Sequence, residues 1–192
     1  TLEEAIRSFA PGAPLVAGRG LGALAAVSVA ARFPQVTGRL VLIDTLPGAA
    51  QRTTTERSPW PWPSPQFADR DAARVWLARA VPDLPAVTVA RESEHETVQA
   101  ADGTWGWRHH LGSLPGSGPG DFDDDRLWEQ LAALPAPVLV RAERGLLSDD
   151  EVGRFQEQVP QGEIVTVGGS GHRVEAHRPE ALADILRGVT RS

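Results

Sequence analysis

Short apolar runs alternate with segments of helical periodicity along much of the chain. Four runs stand out, at 14–17, 39–44, 137–141 and 163–167, and every charged residue in them stands at the first or last position of its run. Apolar runs of this length that are rich in valine, leucine and isoleucine are typical of strands covered on both faces. Their alternation with helices predicts an α/β fold, a mainly parallel sheet with helices on both of its faces.

Amphipathic segments predict the helices that accompany these strands. Each segment places its apolar residues at helical spacing, and the last one begins with a proline, which suits the first position of a helix. The predicted helices cover 2–9, 69–80, 127–134, 148–159 and 179–189.

The regular alternation is interrupted between the second and third apolar runs. Residues 46–68 contain five prolines, which exclude a sheet strand there, and 112–120 are rich in glycine. This pattern predicts an α/β core formed by 1–45 and 121–192. Residues 46–120 are then an inserted cap of helical and irregular structure.

A dense group of glycines marks the turn after the first apolar run. Gly18, Gly20 and Gly22 fall within five residues and lead directly into an alanine-rich segment. Glycine accepts a positive φ and lets backbones approach closely, so this pattern predicts a sharp, crowded strand-to-helix turn. It fits the nucleophile elbow G-x-S-x-G with Gly20 at the nucleophile position. It also fits the dinucleotide fingerprint G-x-G-x-x-A at 18–23, with Asp44 as a ribose ligand.

The order of motifs resembles the C-terminal two-thirds of the α/β-hydrolase superfamily, from the elbow strand onward. The resemblance is carried by the glycine turn, by the link and strand at 33–44, and by the strands at 137–141 and 163–167. At the end of the chain, Gly-Ser-Gly-His at 169–172 and the following helix are similar to the family's catalytic-histidine loop and last helix. A Rossmann protein has no reason to carry this ending, so the hydrolase resemblance is favoured.

Two departures from the family pattern bear on activity. Gly20 offers no hydroxyl, thiol or carboxylate, and nucleophilic catalysis needs one of these. Gly145 stands where the family usually carries its acid, whereas a minority of members take the acid from the end of the preceding strand, where this chain has Asp44. The resemblance therefore implies a degenerate elbow at Gly20, with His172 and Asp44 as the candidate catalytic side chains and no acyl-enzyme.

Several residues around this turn are candidate ligand contacts. Arg19 could hold an anion, and the backbone N–H of Leu21 occupies the family's oxyanion position. A pocket of the kind that takes small apolar or ester-like molecules could be lined by four tryptophans of the insertion, although burial in a core is the alternative for each. They are Trp60, Trp62, Trp105 and Trp107.

Composition excludes several other classes of function. A net charge of −6 and a pI near 5.4 disfavour a nucleic-acid surface, and no apolar run approaches a membrane span. The chain lacks cysteine, and the adjacent His109 and His110 do not have ligand spacing, so no metal or other cofactor is expected. A soluble cytoplasmic protein is the default, and the arginine-rich, lysine-free composition suggests a bacterial source.

Three functions remain open from the sequence. The first is a small-molecule-binding or non-hydrolytic homologue of the superfamily. The second is a His172-dependent hydrolase or lyase-type enzyme without covalent catalysis, in which Asp44 lies within about 3.2 Å of the His172 ring. The third is a Rossmann-type nucleotide-binding domain built on 18–23.

The resemblance implies that the strands at 14–17, 39–44, 137–141 and 163–167 lie side by side in that order, so the first strand is expected to form an edge of the sheet. Residues 14–17 are apolar and uncharged, which protects an unpaired edge poorly, and the chain contains no Met. A missing N-terminal segment or a partner chain is therefore expected at this edge.

Overall fold

The computed structural model describes residues 1–9, 12–49, 65–108 and 123–190. They divide into two compact units, one within 1–53 and 121–192 and the other within 54–120. Leu46 and Ala49 are buried in the apolar core of the first unit, so this unit continues beyond residue 45, the end predicted for the first core segment. That the second unit acts as a cap stays a prediction.

The helices and strands follow the predicted alternation, with a short 3-10 turn at Pro34–Val36. In chain order they are α1 (Leu2–Phe9), β1 (Val16–Arg19), α2 (Leu21–Arg32), β2 (Leu40–Ile43), α3 (Arg70–Ala80), α4 (Ala86–His95), β3 (Thr97–Gln99), β4 (Trp105–Trp107), α5 (Asp124–Ala132), β5 (Val138–Arg144), α6 (Asp149–Gln158), β6 (Glu163–Gly171), α7 (Val174–His177) and α8 (Pro179–Val189). No helix among the described residues is both long and apolar enough to cross a membrane.

The first unit is built on a four-stranded parallel sheet in the order β1-β2-β5-β6, which confirms the predicted order. Arg19 is in register with Ile43, and Ile43 is in register with Val140. The carboxyl ends of the strands therefore meet at one edge, where open α/β sheets bind ligands. Within the described residues β1 pairs with β2 alone, and a partner on its other side stays a prediction.

Both faces of this sheet are covered, as the apolar runs predicted. Side chains alternate along a strand, so β2 sends Leu40 and Leu42 into a core shared with α2, α5 and α6. It sends Val41 and Ile43 into a second core shared with α7 and α8.

The last two strands extend beyond their predicted ends. β6 continues through 168–171, although the family resemblance placed 169–172 in a loop, because Gly171 still pairs with Arg144 of β5. The register shifts between Ala142 and Arg144, and Gly169 adopts a φ of 65°. An irregularity of this kind re-aims the end of a strand, and here the strand leads directly to His172.

The second unit packs two helices with the antiparallel hairpin β3-β4. Trp107 is buried, and its ring centroid lies 5.9 Å from that of Phe67 and 6.0 Å from that of Trp76. Trp107 therefore packs in the core of this unit, which is the alternative given for each tryptophan, and its place in a pocket wall stays a prediction. The guanidinium carbon of Arg70 stacks 4.5 Å from the Trp105 ring centre. Trp60 and Trp62 lie outside the described residues.

Candidate functional site

The turn between β1 and α2 has the sharp geometry that its glycines predicted. Gly20 adopts φ 56° and ψ −133°, and its carbonyl accepts a 3.0 Å hydrogen bond from the N–H of Ala23. A Cβ at Gly18 would lie 2.7 Å from the backbone of Ala23, so strand and helix can approach this closely only with glycine there. Leu21, the first residue of α2, follows Gly20 directly, and its side chain is exposed.

A threonine just after β2 holds this turn in place. The N–H of Gly20 donates to Oγ1 of Thr45 at 2.8 Å, and the Thr45 hydroxyl donates to the carbonyl of Ile43 at 2.9 Å. Thr45 is buried, so its hydroxyl is shielded from water. Thr45 was not predicted as a site residue; its signal in the sequence is a hydroxyl residue directly after the apolar run at 39–44, which forms the strand next to the glycine turn.

Asp44 directly follows β2, and its buried carboxylate meets three hydrogen-bond donors. It is 1% exposed. Its Oδ1 accepts a hydrogen bond from the N–H of Ala142 at 3.0 Å, and its Oδ2 accepts one from the N–H of Leu146 at 2.8 Å. Nδ1 of His172 lies 2.9 Å from the same Oδ2, within the distance expected from the sequence. The end of β5 and the segment after it thus wrap around the Asp44 side chain.

This contact determines which nitrogen of His172 faces outward. A carboxylate only accepts hydrogen bonds, so Nδ1 carries the proton between the two side chains. In the neutral ring, Nε2 is then the basic nitrogen. The His172 side chain is 24% exposed, whereas the Asp44 side chain has no exposed surface. The arrangement is a partly accessible base oriented by a buried acid.

An ion pair joins the glycine turn to the segment after His172. Nη2 of Arg19 lies 3.3 Å from Oε1 of Glu175 in α7, and Nε of Arg173 lies 3.5 Å from the same oxygen. The elements that carry Gly20 and His172 are therefore in contact through their neighbours. Arg19 has a carboxylate partner within the chain, so an anionic ligand at Arg19 would compete with Glu175.

The dinucleotide interpretation does not fit this geometry. It needs the Asp44 carboxylate to be accessible to a ribose hydroxyl. That carboxylate is buried, and its oxygens are occupied by two backbone N–H groups and by His172. Among the described residues there is also no group of three potential metal ligands, and His109 and His110 lie outside those residues.

No protein-family model matches the chain. The esterase Rv0045c of Mycobacterium tuberculosis is 32% identical to it over 198 residues, which covers 98% of this chain. The chain spans 64% of that relative's length, less than two thirds.

Solved structures show the same relationship in three dimensions. A crystal structure of the Rv0045c esterase superposes with a TM-score of 0.83 at 29% identity, covering 100% of this chain and 65% of the esterase. E-2-(acetamidomethylene)succinate hydrolase superposes with a TM-score of 0.78 at 23% identity, covering 99% of this chain and 70% of the hydrolase, which indicates a shared fold. Sequence and fold lead to the same conclusion: the chain belongs to the α/β-hydrolase superfamily.

Proposed function

We propose that this protein hydrolyses small ester-like molecules by direct attack of water, with His172 as the general base and Asp44 as the residue that orients it. The observation that carries this proposal is the 2.9 Å contact between Nδ1 of His172 and the buried carboxylate of Asp44. A histidine base that is oriented by a neighbouring carboxylate is the arrangement on which hydrolytic enzymes of many folds depend. In this chain the base and its orienting group are present although the turn lacks a nucleophilic side chain.

In the proposed reaction, Nε2 of His172 removes a proton from water as the water oxygen bonds to the carbonyl carbon. The carbonyl becomes an oxyanion, and its collapse breaks the bond to the leaving alkoxide. The imidazolium then returns the proton to that alkoxide, giving one acid and one alcohol. Asp44 stays ionised throughout and keeps Nδ1–H in place.

The glycine turn leaves room for the attacking water. A Cβ placed on Gly20 would have no atom within 4 Å. A water molecule there takes the place that a nucleophilic side chain occupies in an ordinary elbow. Leu21 and Gly22 open α2 ahead of Ala23, whose N–H bonds the carbonyl of Gly20, so their N–H groups precede the first helical hydrogen bond and lie at the positive end of the helix. They are suited to stabilise the oxyanion.

The relationship to an esterase supports the choice of an ester-like substrate. Rv0045c is described as an esterase, and it is similar to this chain over 98% of the chain's length. The chain spans 64% of that relative's length. The esterase activity and the ester-like substrate are therefore proposals for this protein.

A matched pair of histidine variants tests the proposal. Esters of increasing acyl length are supplied to the wild type, His172→Gln and His95→Gln, and acid release is measured. His95 is exposed in the other unit and serves as the control. Loss of the general base is expected to lower kcat by about 10²- to 10⁴-fold in His172→Gln, whereas His95→Gln keeps the wild-type rate. Equal rates in all three proteins, or no hydrolysis above buffer by the wild type, would contradict it.

A module that binds ester-like molecules without turnover is the second candidate. It is favoured by one observation, the absence of a nucleophilic side chain at Gly20. A ligand that raises Tm without being consumed, and whose effect survives His172→Gln, would support this function over hydrolysis.

A further inference from the structure

We propose that Glu143 and Arg144 are positioning residues for His172, because their side chains hold a bulge in β6 that brings His172 to Asp44. The effect on catalysis rests on the proposed function. The place of the His172 ring does not, and it can be measured without turnover.

The bulge lies between the last two points at which β5 and β6 are in register. Ala142 is in register with Val167, and Arg144 is in register with Gly171. One residue separates these points on β5, whereas three residues, 168–170, separate them on β6. The additional residues of a bulge have no place in the ladder of backbone hydrogen bonds between strands. Their backbone groups therefore need other partners.

Two exposed side chains of β5 supply these partners at Gly169. The N–H of Gly169 donates to Oε2 of Glu143 at 2.6 Å, and Nη2 of Arg144 donates to the carbonyl of Gly169 at 3.1 Å. Hydrogen bonds to charged groups are stronger than those between neutral groups. A Cβ at Gly169 would lie 3.3 Å from the guanidinium carbon of Arg178, so this side chain covers the bulge as well.

The bulge decides how far along the sheet His172 lies. If β6 kept the register that it has before the bulge, Gly169 and not Gly171 would lie opposite Arg144. His172 would then lie two residues further along the strand, a shift of about 7 Å, and would lose its contact with Asp44. A slip of two residues keeps each side chain on its own face, so the apolar pattern alone does not prevent it. The bonds to Gly169 favour the register that the site needs.

The proposal predicts a specific pattern in the proton NMR spectrum. An imidazole Nδ1–H bonded to a carboxylate gives a far-downfield signal, which is assigned to His172 by its loss in His172→Gln. We expect this signal in the wild type, its loss in Glu143→Ala/Arg144→Ala, and its return in Glu143→Gln/Arg144→Lys, which keeps an acceptor and a donor for Gly169. The spectra are recorded below the Tm of each variant.

A second pair of charged residues serves as the control. Arg91 and Glu94 are exposed on α4 of the other unit, and Arg91→Ala/Glu94→Ala removes the same two kinds of charge. This variant is expected to keep the signal and the wild-type rate. Under the proposed function, Glu143→Ala/Arg144→Ala lowers kcat by about 10²-fold with KM unchanged, and the Gln/Lys pair recovers most of that loss.

The proposal is overturned if Glu143→Ala/Arg144→Ala keeps the Nδ1–H signal or does not fold, if the Gln/Lys pair fails to restore the signal, or if the control pair loses it. If the signals follow the expected pattern but the wild type hydrolyses no ester, the proposed function fails and the positioning of His172 stands. If His172→Gln abolishes hydrolysis but the alanine pair keeps the signal, the proposed function stands and the positioning fails.

Discussion

Gly20 and Gly145 lie at the same site, yet they are glycines for opposite reasons. Gly20 has a φ of 56°, and a side chain added to it would meet open space. Gly145 has an ordinary φ, and a side chain added to it would meet the carboxylate of Asp44. The first is constrained by its backbone and the second by its neighbour. The site thus has an unfilled place at the turn and a fully occupied one around its acid.

This difference divides the site into the surroundings of Asp44 and the turn at Gly20. The acid, the histidine and the bonds that hold them form a complete network around Asp44. The turn keeps its geometry through Gly18 and Thr45, although its tip has no reactive side chain. Under the proposed function, the open space at Gly20 is what allows water to reach the base.

The largest expected effect on stability is that of a methyl group added at Gly145, and the same change at Gly20 is its comparison. Gly145→Ala drives the buried Asp44 carboxylate from its donors, so the free energy of unfolding is expected to fall by about 3 kcal/mol. Gly20→Ala meets no atoms and pays only for its left-handed backbone, about 1 kcal/mol. Urea denaturation measures both. An equal loss in the two variants would remove the distinction between the glycines.

Replacing Asp44 itself tests how much the hydrogen bonds to its carboxylate contribute to stability. Asp44→Ala leaves the N–H groups of Ala142, which is buried, and of Leu146, which is half-buried, without their acceptor, so the free energy of unfolding is expected to fall by about 2 kcal/mol. Asp44→Asn keeps a side-chain oxygen, and asparagine tolerates the left-handed region. Its free energy of unfolding should therefore fall by about half as much. Thermal melts at one pH compare them. If the two variants are equally stable, the hydrogen bonds to Asp44 contribute little.

The bond that holds the turn is expected to have a smaller effect. Thr45→Val removes the acceptor of the Gly20 N–H and should lower the free energy of unfolding by about 1 kcal/mol. Thr45→Ser keeps the hydroxyl and is the matched control. Faster amide hydrogen exchange at Gly20 in Thr45→Val, but not in Thr45→Ser, is the specific result. Unchanged exchange in both would show that the turn is held by its own backbone.

The ion pair between Arg19 and Glu175 should contribute least. Both side chains are about one-third exposed, so solvent screens their attraction. Glu175→Gln is expected to change the free energy of unfolding by less than about 0.5 kcal/mol, and less again in high salt. Glu3→Gln removes a comparable exposed pair with Arg7 and is the control. A much larger change in Glu175→Gln would mean that this pair fixes the turn.

The fold could be predicted from the sequence because buried parallel strands leave a strong local signal. The runs at 39–44 and 137–141 need no partner to be recognised, and the order of the sheet follows from the family resemblance. The extension of β6 to Gly171 could not be predicted, because pairing past an irregularity in β5 overrides the tendency of glycine to form turns.

The candidate site was only partly predictable. Asp44 and His172 were predicted to approach each other, and the structure places them 2.9 Å apart. The steric requirement for glycine at 145 depends on where a carboxylate distant in sequence comes to lie, and nothing near Gly145 in the sequence shows it. The hydrogen bond from Gly20 to Thr45 likewise joins two segments that meet only in the folded sheet.

The central claim, direct attack of water without an acyl-enzyme, is tested most directly by the mass of the intact protein during ester turnover. Wild type and Gly20→Ser are mixed with the same ester, the reactions are quenched at short times, and the intact protein masses are measured by mass spectrometry. We expect the wild type to release acid while its mass stays unchanged, and Gly20→Ser to gain one acyl group, because a side chain at position 20 has room. An acyl group on the wild-type protein, or acid release that His172→Gln does not lower, would contradict the account.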